Sequence, residues 1–238
     1  EIPCFFVTMA AAIVTKKHGI SLAHLVAGTR SFDIKMPKEI NRLVIDGLSD
    51  YLFTAGMGSN SIVSREGAEL SHVYEVGNIL MDTLRFNHNR LQRPAVMDDL
   101  KLENGKYIVF TLNRKALIAD KENLGNMIYA MNKAAGNTPI IAVLRNNAKE
   151  VVSQLTADMA DIHIIDSLPY LEFGYLTAHA MGIITDSGNV AEEATFNNVP
   201  CITLNSYTEH IETVKQGSNI LVGEDADKLE AAIKDMTG

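Results

Sequence analysis

A chain of 238 residues holds one large domain or two small ones, and its 47% hydrophobic and 21% charged residues are those of a globular protein. A formal charge of −8 without a Lys/Arg cluster excludes nucleic acid as a bulk partner, and no apolar stretch reaches the ~18–20 residues of a membrane-spanning helix. Cys4 and Cys201 lie in apolar runs and are too few for a disulfide scaffold, so a reducing, cytoplasmic setting with buried thiols is expected.

Residues 4–19 read as a helix with apolar residues on several faces, and ISLAHL (20–25) as a short strand. A domain that opens on a buried helix, with no strand feeding it, reads as incomplete. Residues 26–36 read as a loop carrying Gly28, Arg30, Ser31 and Asp33. The spacing of Ile40, Leu43, Val44 and Leu48 predicts a helix from Pro37 to about Ser49, with the proline in its first turn. A strand at 51–54, a helix at 59–65, a strand at 72–75 and a helix at 79–88 follow. The polar run at 89–105 marks a boundary, which gives a first domain over 1–90 and a linker over 91–105.

From 106 to 238 the alternation is cleaner. Strands are predicted at 107–112, 139–144, 162–166, 182–185, 201–204 and 220–222, with helices at 121–135, 147–158, 170–180, from about 190, and at 226–235. That order makes an open parallel sheet with helices on both faces, whose ligands sit beyond the carboxyl ends of the strands. The stretch GIITDSGNVAEEATFNNVPCITL (182–204) is its centre: strand, small-residue turn, helix, strand. Here Ser187 and the turn amides either hold phosphate or merely cap the helix, and Glu192 and Glu193 either accept sugar hydroxyls or favour its positive end. Asp186 reads as fixing the turn by accepting backbone N–H bonds. Tyr170 and Phe173 suit the core as well as a base-binding wall. No His/Cys or His-Glu cluster has metal-ligand spacing, so neither a metal nor a cofactor is expected.

Taken in one colinear order, several stretches resemble the non-hydrolysing UDP-N-acetylglucosamine 2-epimerases. The best is TDSGNVAEEATFNNVPCITL, where the family reads Asp-Ser-Gly-Gly, then a Glu-Glu pair and a proline-led strand; HLVAGTRSFD (24–33), MPKEINR (36–42), LPYLEF (168–173), TEHIE (208–212) and GSNILVG (217–223) also match. The resemblance implies an α/β fold with two Rossmann-like domains of the glycosyltransferase B type. The first domain would be incomplete, in a fragment that starts inside the family pattern and stops before its last helix. It implies UDP or a UDP-sugar as ligand and leaves a homodimer open. The implied reaction inverts C2 of the sugar by removing its proton and expelling UDP, then adding UDP back with a proton on the other face.

For binding, the resemblance points to Ser187 and Gly188 for the phosphates, Glu193 for the ribose, Arg114 as a phosphate contact, and Thr208 with Glu209 as the family's Thr-Glu pair. The chemistry is less well kept. Two carboxylates of the family pattern are replaced by Val26 and Lys38, and its imidazole by Asn113, which cannot titrate near neutral pH. His24 and Glu39 remain as catalytic candidates, each with a plain structural alternative. The expectation is therefore an epimerase-family protein with impaired catalysis, the alternative being an inactive nucleotide-sugar-binding or scaffold protein.

Overall fold

Short apolar runs alternate with amphipathic helices along the chain, and a computed structural model describing residues 2–208, 211–215 and 217–238 shows how they pack. They divide into two units, Glu1–Arg85 and Phe86–Gly238.

In the first unit, α1 (Ile2–Lys17), β1 (Ala23–Ala27), α2 (Pro37–Leu48), β2 (Tyr51–Thr54), α3 (Met57–Arg65) and β3 (Val73–Glu75) follow one another, and α4 (Ile79–Asn87) ends two residues past its boundary. The strands form a parallel sheet in the order β1-β2-β3, so β1 is an edge. Proline at the start of α2 costs nothing, because that N–H has no intrahelical partner anyway. Lys16, in the last turn of α1, meets Asp50 at 2.6 Å, and Asp50 also accepts the Leu22 N–H at 2.7 Å, which fixes the entry into β1. Ala27, Leu52 and Val63 form a small buried core with Ala68 and Val73 against it. The other sheet face carries the in-register row Leu25, Phe53 and Tyr74, of which Leu25 is 56% and Tyr74 43% exposed. Parallel sheets normally bury both faces; in this unit only one is buried among the described residues.

The second unit runs α5 (Val96–Asp99), β4 (Ile108–Phe110), α6 (Lys115–Ala119), α7 (Lys121–Ala135), β5 (Ile140–Val143), α8 (Asn146–Leu155), β6 (Ile162–Ile165), α9 (Tyr170–Ala178), β7 (Gly182–Thr185), α10 (Gly188–Phe196), β8 (Cys201–Thr203), α11 (Ile211–Lys215), β9 (Asn219–Leu221) and α12 (Ala226–Thr237). Its six strands are parallel in the order β6-β5-β4-β7-β8-β9. Alternate residues serve opposite faces. Ile108, Phe110 and Ile184 pack with Leu124, Met127, Leu229 and Ile233 of α7 and α12, while Val109, Ile141 and Ile183 pack with Leu176 and Ala191 of α9 and α10. This sheet is therefore buried on both sides, as its unbroken apolar strands require. Within 91–105, read from sequence as a linker, Met97 of α5 and Leu102 are buried in the second of these cores. Cys201 is a buried free thiol, pushed up to about 12 by burial; the side chain of Cys4 lies outside those described.

Candidate functional site

β4 and β7 are neighbours, but the chain leaves β4 towards β5 and leaves β7 towards β8, in opposite directions across the sheet. Such a reversal opens a crevice at the strands' carboxyl ends, where open α/β sheets take their ligands. The floor of this one is polar. The hydroxyls of Thr111 and Thr185 lie 2.6 Å apart, and the Ser187 N–H donates to Thr185 Oγ1 at 3.0 Å. Asp186 Oδ2 accepts the N–H groups of Asn113 (2.7 Å) and Arg114 (2.5 Å), bracing the loop after β4 against the end of β7.

Ser187 is the N-cap of α10 in extended backbone conformation, yet its side chain makes no capping hydrogen bond. The plain reading of Ser187 as a cap therefore does not describe its hydroxyl, and the first-turn N–H groups from Gly188 onward have no side-chain cap there. A helix N-terminus in this condition attracts an anion. Glu193 follows on the second turn, half buried, and burial together with the neighbouring charge of Glu192 pushes its carboxyl up to about 7. The Tyr170 hydroxyl is also pushed up, by burial and then by the charge of Glu193, so these two side chains share one environment. Arg114 is held from two sides, donating to Asn205 Oδ1 at 3.1 Å and pairing with Glu224 Oε1 at 3.2 Å. Thr208 follows β8 and is half buried, whereas Glu209 and His210 lie outside the described residues.

The remaining candidates belong to the first unit, where His24 and Glu39 do not meet. His24 Nδ1 lies 2.5 Å from Asp46 Oδ1. Asp46 Oδ2 accepts the Gly28 N–H at 3.0 Å and pairs with Arg30 at 2.7 Å, and Arg30 in turn makes a two-pronged contact with Glu66 at 3.0 and 2.5 Å. Burial works to push the Asp46 carboxyl up, and hydrogen bonds from His24 and the Gly28 N–H, with Arg30, outweigh it and hold the group below the ordinary carboxylate range. Gly28 has φ +74°, and a Cβ there would lie 2.5 Å from the Ser59 carbonyl oxygen, so only glycine lets the chain leave β1 this close to α3. Glu39 is buried, and both its oxygens are engaged: Oε2 accepts the Ser31 N–H and hydroxyl at 2.9 Å, and Oε1 the Phe32 N–H at 3.0 Å. It clamps the loop after β1.

Asp46 and Glu66 were not among the residues singled out from sequence. A signal existed for the first, since Glu39, Leu43 and Asp46 at i, i+4 and i+7 place two acids on one helix face with a leucine between them.

A family model described as UDP-N-acetylglucosamine 2-epimerase matches residues 6–238. A UDP-N-acetylglucosamine 2-epimerase homolog of Methanococcus maripaludis is 36% identical over 93% of this chain, and a UDP-2,3-diacetamido-2,3-dideoxy-D-glucuronate 2-epimerase of Pseudomonas aeruginosa is 32% identical over 97%. The chain spans 63% and 65% of those two proteins' own lengths. A crystal structure of Methanocaldococcus jannaschii UDP-GlcNAc 2-epimerase, in complex with UDP-GlcNAc and UDP, superposes with a TM-score of 0.85 at 35% identity, covering 97% of this chain and 66% of that one. With two parallel α/β sheets of the Rossmann-like, glycosyltransferase B type and this colinear likeness, the chain belongs to the UDP-N-acetylglucosamine 2-epimerase family.

Proposed function

We propose that this chain binds UDP or a UDP-sugar through its second unit, and that its family reaction, interconversion of UDP-N-acetylglucosamine and UDP-N-acetylmannosamine, runs with impaired catalysis. The observation that carries the binding reading is the N-terminus of α10, where the Ser187 hydroxyl makes no cap and a half-buried Glu193 stands one turn further on. In this reading Ser187 and the Gly188 amide take the phosphates, Arg114 adds a forked donor, Glu193 accepts the ribose hydroxyls, and Thr208 completes the rim. His24, with Nδ1 taken by Asp46, would move a proton through Nε2. The deposit of charge −8 supports a ligand other than nucleic acid, and the buried Cys201 thiol suits a cytoplasmic setting.

Impairment rests on chemistry. Removing the C2 proton, breaking the C1–O bond to UDP and reprotonating the opposite face need acid–base groups on both faces. Val26 and Asn113 cannot titrate near neutral pH, and Glu39 is committed to the Ser31–Phe32 loop. Each lost acid or base typically costs ~10²–10⁴-fold in rate. A second reading, a nucleotide-sugar-binding protein without turnover, is favoured by the same engagement of Glu39. Proton NMR of UDP-N-acetylglucosamine in D₂O with stoichiometric protein separates them: slow deuterium entry at C2 is expected of an impaired epimerase, and none of a binder. Rapid exchange would overturn the impairment, and absence of binding to millimolar UDP would overturn both readings.

A further inference from the structure

Arg114 is fixed at both ends. Its backbone N–H donates at 2.5 Å to Oδ2 of Asp186, the residue before the N-cap of α10. At the far end a single nitrogen is held: Nη1 donates to Asn205 Oδ1 at 3.1 Å and pairs with Glu224 Oε1 at 3.2 Å. Nη1 carries two hydrogens, and these two acceptors use both. Nε and Nη2 have no protein partner among the described residues. That edge of a guanidinium, with two parallel N–H bonds, is the one that grips two oxygens of a carboxylate or phosphate. Two other arginines have the edge already in use. Arg30 spends Nε and Nη2 on the two oxygens of Glu66, and Arg93 spends both on Asp98 Oδ1. In Arg114, with its side chain 40% exposed, the edge stays open.

The holder is itself braced. Asn205 Nδ2 donates to the Asp186 carbonyl at 3.0 Å. A carbonyl only accepts and a guanidinium only donates, so one orientation of the Asn205 amide satisfies both neighbours. The backbone carbonyl of Asn205 accepts the Gly223 N–H at 3.2 Å, and Asn123 Nδ2 donates to the Glu224 carbonyl at 3.3 Å, which ties the loop after β9 to α7. Asn205, in the loop after β8, thus joins the loops after β4, β7 and β9. Being neutral, it fixes the Arg114 cation without offsetting its charge, as Glu224 does in part.

We propose that Asn205 is a positioning residue for the phosphate site: with Glu224 it holds Nη1 of Arg114, and so presents the Nε–Nη2 edge as a two-pronged clamp for the diphosphate at α10. This rests on the reading of that helix terminus as the phosphate site. A long, unheld side chain gives up its rotamer freedom when a ligand binds. Arg114 gives it up on folding, so the ligand meets a clamp already in place.

The test is a double-mutant cycle on the full chain, read by calorimetry with UDP. Asn205→Ala should weaken UDP about tenfold with Arg114 present and by less than about twofold in an Arg114→Ala background. Arg114→Lys leaves Asn205 in place, keeps the charge and removes the fork; it should also lose about tenfold. Equal losses from Asn205→Ala in both backgrounds, or wild-type affinity in Arg114→Lys, would overturn the proposal. Arginine-selective nitrogen-15 NMR of the free protein reads the hold itself. The two Nη groups of Arg114 should give separate signals in wild type, because the hold on Nη1 slows their exchange, and should merge in Asn205→Ala. Merged signals in wild type would overturn the positioning role. Failure of wild type to bind UDP overturns the phosphate-site reading and the clamp with it, while the Arg114 signals separately decide whether Asn205 holds the guanidinium.

Discussion

At Glu193, burial and the adjacent Glu192 keep the proton on the carboxyl to about pH 7, whereas a glutamate in an unfolded chain releases it near ~4.3. Folding therefore takes up a proton between those values, and the stability this group contributes is full below ~4.3 and lost as pH rises through about 7. Ligand binding runs the other way, since the ionised form is the better acceptor for two ribose hydroxyls. UDP affinity should fall as pH drops below about 7, and Glu193→Gln should flatten both that limb and the loss of stability across the same range. Calorimetry and thermal melts at pH 5 to 8 check this; an unchanged pH dependence in Glu193→Gln would assign the limb elsewhere.

Among the elements, β1 carries the clearest strain. The pairing of β1 with β2 shifts register between Leu25 and Ala27, and Val26 at the bulge has φ 62°. The slip turns Ala27 into the small core while Leu25 stays on the open face. A β-branched residue in left-handed backbone costs roughly 1–2 kcal/mol, and Val26, 45% exposed, recovers little by packing. Val26→Asn, which tolerates this conformation, should stabilise the first unit by about 1 kcal/mol, read as a raised denaturation midpoint; a lowered midpoint would show that the valine packs more than its exposure suggests. The bulge itself could not be read from sequence, because Leu-Val-Ala looks like unbroken strand. Strands and long helices were legible wherever apolar runs met clear turns, as from Lys121 to Ala135 or Gly182 to Thr185. The five-residue α6 and α11 were not, being too short to show a period. α5 was hidden in a polar run, of whose apolar residues Val96, Met97, Leu100 and Leu102 pack inward. At the candidate site the strand–turn–helix of 182–196 was legible, with Ser187 at the turn and Gly188 opening the helix, but the engagement of Glu39 by Ser31 and Phe32 and the chain from His24 through Asp46 to Arg30 and Glu66 needed three dimensions.

For the molecule as a whole, the two sheets are unequally covered. The row of Leu25, Phe53 and Tyr74, with the Phe53 and Tyr74 rings stacked at 5.4 Å, leaves aromatic surface in the open beside an unpaired edge strand. Such surface favours association, so the isolated chain should sediment as a dimer or larger species. Leu25→Glu with Tyr74→Glu should return it to monomer. A concentration-independent monomer in the unaltered chain would show that this face is tolerated in water.

The small core of Ala27, Leu52 and Val63 has a consequence in time as well as in space. Local opening draws on the apolar contacts that a segment must give up, and the first unit has far fewer to lose than the sheet buried on both faces in the second. Amide hydrogens of β2 should therefore trade with deuterium in solvent well before those of β4, β5 and β7, even where both lie in regular ladders. Mass spectrometry of peptides from 51–54 and 108–110, quenched over seconds to hours, should resolve two separate exchange regimes.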